Sequence, residues 1–193
     1  MRPVWKWVRD SGLGPWGRFF LMKIVAGHLL KEAYRRADRI ERDVFGRSAF
    51  NRYYYATFLI VRAGLQQMNA DWAMLQHAAI PDMLKGSIKR ELAKGKMKAA
   101  RVGDSALVEL CAKAGSAALQ LSALMQKGYA TRVVADYSPE IPVSFLVGPQ
   151  CSLNSVGAKD ASDWPNKAAV YIGTIVMAWS QISCLVGWRY RRF

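Results

Sequence analysis

Apolar residues recur at intervals of three and four along almost every long segment of this 193-residue chain. Such spacing places them on one face of a helix and leaves the opposite face to charged residues. No two segments alternate apolar and polar residues on either side of a turn signal, which is the pattern that predicts paired strands. The sequence therefore predicts an all-α protein, a bundle of four to five helices.

Breaks in the apolar pattern divide the chain into segments. The stretch "FGRS" is predicted to separate two helices, with Ser48 as the N-cap of the second. A later segment is predicted to be a looser helical pair, because Pro81, Gly86 and Gly95 interrupt it. The predicted helical segments are residues 18–43, 49–68, 69–101 (the looser pair), 104–136 and 166–193.

Two further segments lack the helical pattern. Residues 1–17 are rich in Trp, Gly and Pro, and are predicted to form an irregular N-terminal arm. Residues 138–166 contain four prolines together with several Gly and Ser, and are predicted to form a long loop or lid. We therefore expect one helical domain over residues 18–193 with this Pro-rich loop inside it.

The charge of the chain is strongly unbalanced, with 28 Lys and Arg against 14 Asp and Glu and a formal net charge of +14. Such a surplus indicates a polyanionic partner, either nucleic acid or an anionic membrane surface. The alternative is that the basic runs are only solvated faces. Cations that bind a phosphate backbone do so with a steep dependence on salt. The predicted nucleic-acid contacts are Arg52, Lys85, Lys89, Arg90, Lys94, Lys96, Lys98 and Arg101.

Cysteine and histidine usage excludes several kinds of site. The three cysteines are far apart and form no CxxC pair, so neither a zinc ribbon nor a disulfide framework is expected. With only His28 and His77 present, a histidine-rich metal site is excluded as well. The pattern is typical of reduced thiols in a cytoplasmic protein, and no metal or cofactor is expected. No signal peptide is visible at the N-terminus.

The last predicted helix raises the question of a membrane. Residues 168–188 carry no charged side chain, and 21 residues at about 1.5 Å each are long enough to span a bilayer. A tail-anchored membrane protein is therefore one hypothesis. Several Ser, Thr, Gln and Gly residues in the segment favour the other interpretation, a helix enclosed by its neighbours or by a second subunit.

A polar group stands near the end of the predicted helix 104–136. In "TRVVADY", Arg132 and Asp136 are one helical turn apart, Tyr137 follows, and Pro139 comes soon after. A pair at this spacing on an open helix surface is worth about 0.2–0.5 kcal/mol, so a purely structural ion pair is one interpretation. The other is a working site.

Three short motifs together resemble a known family. They are "FNRYYYATF" with Arg52, Tyr54 and Tyr55, the lone His77 in "WAMLQHAAIPDML", and "TRVVADY". In this order they resemble the HEPN superfamily, in particular its prokaryotic R-x-Y-Y-A and R-x-x-A-D-Y branch. The resemblance covers about residues 24–188.

This resemblance implies a helical bundle that pairs as a homodimer. It also implies a metal-independent endoribonuclease that binds RNA and acts as a toxin of a toxin–antitoxin pair or in antiviral defence. Arg132, Asp136 and Tyr137 would then be the catalytic residues. Active members carry an Arg followed after four to six residues by His, and Asp136 stands where that His is expected. The alternative is a non-catalytic HEPN subunit that binds a nucleotide or a partner protein, such as a nucleotidyltransferase or an antitoxin.

Overall fold

The computed structural model describes residues 17–145 and 150–189. Within these ranges five helices of 13 residues or more account for most of the chain, so the prediction of a mainly helical protein is confirmed. A small three-stranded sheet is added to them. The predicted N-terminal arm lies outside the described residues except for Gly17, the first residue of the first helix.

The elements follow one another along the chain with short connections. A 3₁₀ helix, Ala70–Met74, and a π-helical turn, Leu84–Ile88, lie among the α-helices. The α-helices are α1 (Gly17–Arg35), α2 (Arg39–Met68), α3 (Ile80–Met83), α4 (Lys89–Arg101), α5 (Ser105–Tyr137) and α6 (Ala158–Arg189).

The break between α1 and α2 does not lie where the sequence predicted it. Asp38 caps α2, because its Oδ1 accepts a hydrogen bond from the Glu41 backbone N–H at 2.8 Å. The expected N-cap, Ser48, is inside this helix, so that boundary was wrong. Gly46 is buried, and a Cβ there would lie 3.1 Å from Val143 Cγ1. The glycine therefore serves close packing and does not break the helix.

The looser pair predicted over residues 69–101 is mostly one helical run. Pro81 lies in the first turn of α3, where its missing N–H has no partner to lose, and Gly86 lies in the π-helical turn. Gly95 does not interrupt α4, so that prediction was wrong. A Cβ on Gly95 would lie 2.3 Å from Ile182 Cδ1, and its absence allows two helices to approach closely.

The connection between α4 and α5 follows standard capping chemistry. Gly103, at φ +74°, takes a left-handed conformation after the end of α4. The next residue, Asp104, accepts a hydrogen bond from the Leu107 backbone N–H at 2.9 Å. The prediction of a long helix over residues 104–136 is thus confirmed to within one residue at each end.

Strands occupy part of the segment predicted to be a loop. β1 (Ser144–Phe145), β2 (Cys151–Leu153) and β3 (Val156–Gly157) form an antiparallel sheet in that order. Asn154 and Ser155 both have positive φ, as a two-residue hairpin turn of type I′ requires.

The predicted loop also extends too far toward the C-terminus, because α6 begins at Ala158 and contains Pro165. A proline inside a helix removes one backbone hydrogen bond. The neighbouring Trp164 is only 1% exposed, and burying its large ring stabilises this turn of the helix.

The chain divides into two compact units. The first unit comprises residues up to Ile60 together with Lys127–Asn166, and the second comprises Val61–Gln126 together with the residues from Lys167 onward. The expectation of one domain over residues 18–193 stays a prediction.

Aromatic side chains form the core of the first unit. Phe50, Tyr54 and Trp164 are almost completely buried there. Gly128 lets α5 approach them, since a Cβ at this position would lie 3.0 Å from Tyr54 Cδ2. Tyr54 also packs against Tyr129, with ring centroids 6.1 Å apart. This core holds the middle of α2 and the last turns of α5, where the "TRVVADY" motif lies.

The core of the second unit is aliphatic, with Leu65, Leu92 and Ile172 among its fully buried residues. Gly64 provides a close contact between α2 and α6, because a Cβ there would lie 2.2 Å from Ile172 Cγ1. The buried hydroxyl of Ser122 donates a hydrogen bond to the Pro81 carbonyl at 2.8 Å, so this polar group is satisfied inside the core.

By length and composition, one helix of the described residues is apolar enough to cross a membrane, and it is α5, with 39% of its most apolar window buried. The core helix of a soluble protein satisfies the same criterion, so the indication is weak. The described part of α6, which includes most of the segment behind the membrane hypothesis, does not meet the criterion.

Candidate functional site

The three residues predicted to be catalytic lie together at the end of α5. Arg132 Nε is 2.8 Å from Asp136 Oδ2, and the two side chains are 19% and 24% exposed. This Nε–H is not aligned for a hydrogen bond, so the contact is an ion pair without one. The guanidinium carbon of Arg132 lies 5.3 Å from the centre of the Tyr137 ring, within range of a cation–π interaction.

Arg132 is charged in this environment. Burial lowers its pKa, but the Asp136 carboxylate and the hydroxyls of Tyr137 and Tyr55 outweigh that effect, and the net shift of the pKa is upward. The positive charge is therefore available to hold Asp136 in place or to face a phosphate.

Asp136 is held from a second side by a residue that sequence reasoning missed. Its Oδ1 accepts a hydrogen bond from the side-chain amide of Asn51 on α2. Both carboxylate oxygens are thus engaged, one by Arg132 and one by Asn51. A signal was available, since Asn51 directly precedes Arg52 in the "FNRYYYATF" motif, but nothing in the sequence pairs it with a residue 85 positions away.

A surface pocket of about 330 Å³, here called the Asp136 pocket, opens beside this contact. It brings Arg52 and Tyr55 of one motif next to Asp136 of the other. Arg52 is exposed and forms no ion pair with any acid in the described part of the chain. The lining residues are Arg47, Ser48, Asn51, Arg52, Tyr55, Ala135 and Asp136.

The other motif residues lie elsewhere. Tyr54 is fully buried, and burial raises its pKa, so its role is in the core. Tyr55 is half-buried at the pocket, whereas Tyr137 is 69% exposed and does not line it. His77 belongs to the second unit, in the turn before α3. The lining of the Asp136 pocket contains no imidazole.

Arg47, on α2, forms hydrogen bonds with the end of α5 and an ion pair within its own helix. Its side chain is 11% exposed, and its Nε lies 2.5 Å from Asp43 Oδ2. Asp43 Oδ1 in turn accepts a hydrogen bond from the Val143 backbone N–H at 2.6 Å. The remaining N–H groups of Arg47 donate hydrogen bonds to carbonyls in the last turn of α5 and in the segment that follows it. These acceptors are the carbonyls of Val134 (3.0 Å), Ala135 (3.2 Å), Ser138 (3.0 Å), Pro139 (3.2 Å) and Ile141.

The predicted basic stretch of residues 85–101 is helical and solvent-exposed. Lys85 pairs with Asp82 at 2.8 Å and Lys94 with Glu91 at 2.7 Å. Exposed pairs of this kind contribute about 0–1 kcal/mol and are easily given up to another anion. The other cations form no ion pair within the described residues. They are Lys89, Arg90, Lys96, Lys98 and Arg101.

Four of these cations line one face of α4. Arg90, Lys94, Lys98 and Arg101 follow one another at spacings of four, four and three residues, and are called the basic row. From Arg90 to Arg101 the row rises by 11 steps of the helix, about 16 Å at 1.5 Å per residue. A different face of the same helix is buried, at Leu92, Gly95 and Ala99, so the row points to solvent.

No metal-binding site is present in the part of the chain that the structure describes. There, no three His, Cys, Asp or Glu residues are close enough to hold an ion. The three cysteines are free thiols, with Cys111 and Cys151 buried and Cys184 exposed.

No protein-family model matches this chain, and no curated protein or solved structure is significantly similar to it.

Proposed function

We propose that this protein binds RNA through the phosphate backbone, with α4 as the contact helix. The observation that carries the proposal is the basic row, a track about 16 Å long on a protein with a net charge of +14. Lys and Arg bind phosphates largely by releasing condensed counterions, without reading bases. The expected partner is therefore RNA of any sequence, bound with a strong dependence on salt.

A HEPN-like homodimer is part of the same proposal. Two motifs of the family pattern, about 80 positions apart, supply neighbouring residues of the Asp136 pocket, with Arg52 from α2 and Asp136 from α5. The proposal draws on this proximity, because the two motifs that carry the resemblance line one pocket. Measuring the molar mass in solution tests the dimer, and a strictly monomeric protein at micromolar concentration contradicts it.

A second candidate function, metal-independent cleavage of RNA, is favoured by one feature of the Asp136 pocket. The pocket places a carboxylate, Asp136, beside the guanidinium of Arg52, which has no described ion-pair partner. Asp136 would accept the proton of a ribose 2′-OH, whose oxygen attacks the neighbouring phosphorus, while Arg52 stabilises the charge that develops on the phosphate. The bond from phosphorus to the 5′-oxygen breaks, which leaves a 2′,3′-cyclic phosphate and a 5′-oxygen that takes a proton from water. Because Asn51 and Arg132 already bind both carboxylate oxygens, the geometry favours binding over cleavage.

Fluorescence anisotropy with a labelled single-stranded RNA in EDTA tests the binding proposal. We expect binding at 50 mM salt that weakens steeply as salt is raised. Binding that is absent at low salt, or that does not change with salt, overturns the proposal.

Denaturing gels of the same samples test cleavage. Products that form with wild type and disappear with Asp136→Asn and Arg52→Gln establish the nuclease. Intact RNA, or equal cleavage by wild type and both variants, contradicts the proposal that the Asp136 pocket cleaves RNA. Binding without cleavage is the result expected of a non-catalytic HEPN subunit.

A further inference from the structure

A second pocket of the first unit, about 340 Å³ in volume, lies where the start of α2 faces β1. We call it the Arg42 pocket. It shares no lining residue with the Asp136 pocket. Its walls are two arginines and one carboxylate of α2 together with the segment that leads into the sheet. The lining residues are Arg39, Arg42, Asp43, Pro142, Val143, Ser144 and Phe145.

The charges of this pocket sum to two uncompensated cations. Arg39 and Arg42 are three residues apart, so their side chains leave the same face of α2. Neither forms an ion pair with an acid in the described ranges. The Asp43 carboxylate does not neutralise them, because one of its oxygens is taken by Arg47 and the other by the Val143 N–H.

The guanidinium of Arg42 is held in position by an aromatic ring. Arg42 lies over the ring of Phe145 at 4.4 Å, and the edge of Tyr34 meets the same ring at 5.5 Å, which holds the ring in place. The Nε of Arg42 is buried and has no hydrogen-bond partner among residues 17–145 and 150–189. Buried donors in native proteins are almost always satisfied, so this atom is a donor for an acceptor that the described residues do not supply. Ser144 also lines the pocket, and a serine hydroxyl is a further donor.

We propose that the Arg42 pocket binds a phosphate monoester. A terminal phosphate carries a charge of about −1.5 to −2 at pH 7 and presents three acceptor oxygens. Its charge therefore matches that of two guanidiniums, and its three oxygens accept hydrogen bonds from their N–H groups. A phosphodiester within a strand carries only one negative charge. The monoester is either that of a free nucleotide or the 5′-phosphate end of an RNA. The second source rests on the proposed RNA binding, and the first does not.

The dependence of binding on pH follows from the ligand. The second pKa of a phosphate monoester is about 6, so the fraction of dianion falls about tenfold between pH 7.5 and pH 5. Arginine side chains are not deprotonated in proteins, so the guanidiniums are not the source of this dependence. Burial, opposed by the charge of Arg42, raises the pKa of Tyr34, and burial raises the pKa of Cys151, so both stay neutral. Asp43 remains tied to Arg47 and the Val143 N–H. We expect affinity to fall about tenfold between pH 7.5 and pH 5.

Isothermal titration calorimetry tests the free-nucleotide source, with adenosine 5′-monophosphate and adenosine as probes. We expect the monophosphate to bind at least tenfold tighter than adenosine at pH 7.5, with the difference lost in Arg39→Gln and Arg42→Gln. Arg39 is exposed, so its variant keeps the test valid if Arg42→Gln fails to fold. Arg35→Gln is the matched control, because Arg35 is an exposed cation that already pairs with Glu32.

Anisotropy with two otherwise identical RNAs, one ending in a 5′-phosphate and one in a 5′-hydroxyl, tests the RNA source. A preference of fivefold or more for the phosphate end that disappears in Arg39→Gln supports a pocket for RNA ends. If adenosine 5′-monophosphate binds tighter than adenosine but the two RNAs bind equally, the result supports a pocket for free nucleotides.

Two outcomes separate this inference from the proposed function. If the 5′-hydroxyl RNA binds with strong salt dependence but neither phosphate preference exists, the Arg42 pocket is refuted and RNA binding stands. If the monophosphate binds through its phosphate and neither RNA binds, the pocket stands and the proposed function is refuted.

Discussion

Removing the basic row is the sharpest test of how this protein holds RNA. The perturbation is the triple variant Arg90→Gln/Lys98→Gln/Arg101→Gln, which leaves Lys94 as the only cation of the row. For single strands, the slope of log affinity against log salt is about −0.7 for each phosphate contact. Four contacts give a slope of about −2.8 for the wild type, which is an affinity loss of about 50-fold between 50 and 200 mM salt. The variant keeps one contact and a slope of about −0.7, a loss of less than threefold.

Fluorescence anisotropy with one labelled RNA at four or five salt concentrations gives both slopes. The matched control is Lys85→Gln/Lys89→Gln/Lys96→Gln, which removes three exposed cations from the other flank of the same helical run and lowers the net charge equally. We expect the control to keep most of the wild-type slope. Equal slopes for the two triple variants would show that net charge acts without the row. An unchanged slope in the first variant would place the RNA on another surface altogether.

Three further outcomes follow from packing, capping and burial. Gly64→Ala should lower the free energy of unfolding by about 1–3 kcal/mol, because the new Cβ overlaps a buried side chain. Gly115→Ala should raise the free energy of unfolding by about 0.5–1 kcal/mol, since no described residue comes within 4 Å of a Cβ there. Arg47→Ala should cost about 3 kcal/mol or more, because it removes the ion-pair partner of a half-buried carboxylate together with the hydrogen bonds to carbonyls around the end of α5. A thiol reagent should modify the exposed Cys184 quickly and Cys151 only on unfolding, since burial shields the latter and raises its pKa.

Urea unfolding followed by circular dichroism measures the first two effects, and absorbance of the released thiol reagent measures the third. Equal stabilities of Gly64→Ala and Gly115→Ala would contradict the close helix contact. For the capping arginine, Arg35→Ala is the control, because an exposed pair with Glu32 should change stability by less than about 1 kcal/mol. Rapid modification of Cys151 in the native protein would show that the sheet does not cover it.

Local signals made some of the fold predictable. α5 was predicted to within one residue because Asp104 is a strong N-cap and the apolar spacing continues without a break. The strands were missed because two or three residues are too few to show a period of two. Gly46 and Gly95 were taken for breaks, although they are helical positions where a neighbouring side chain occupies the space of a Cβ. A sequence does not distinguish those two uses of glycine.

In the candidate site too, local contacts were predictable from the sequence and long-range contacts were not. The Arg132–Asp136 ion pair was predictable because it is local, four residues apart on one helix. The contact of Asn51 with Asp136 joins residues 85 positions apart, and those of Arg47 with the end of α5 join residues 87 to 94 apart. Such contacts depend on how helices pack, which periodicity does not specify. The Arg42 pocket was not predicted, because the segment that faces its two arginines was predicted to be a loop.

The guanidinium of Arg47 also limits which substitutions this fold tolerates. It is a planar group whose separate nitrogens reach acceptors in several directions, including Asp43 on one side and the chain from Val134 to Ile141 on the other. A lysine keeps the charge but has a single nitrogen with three donors, which does not reach across that width. Arg47→Lys, the replacement that preserves charge and side-chain length best, is therefore expected to behave almost like a deletion of the side chain.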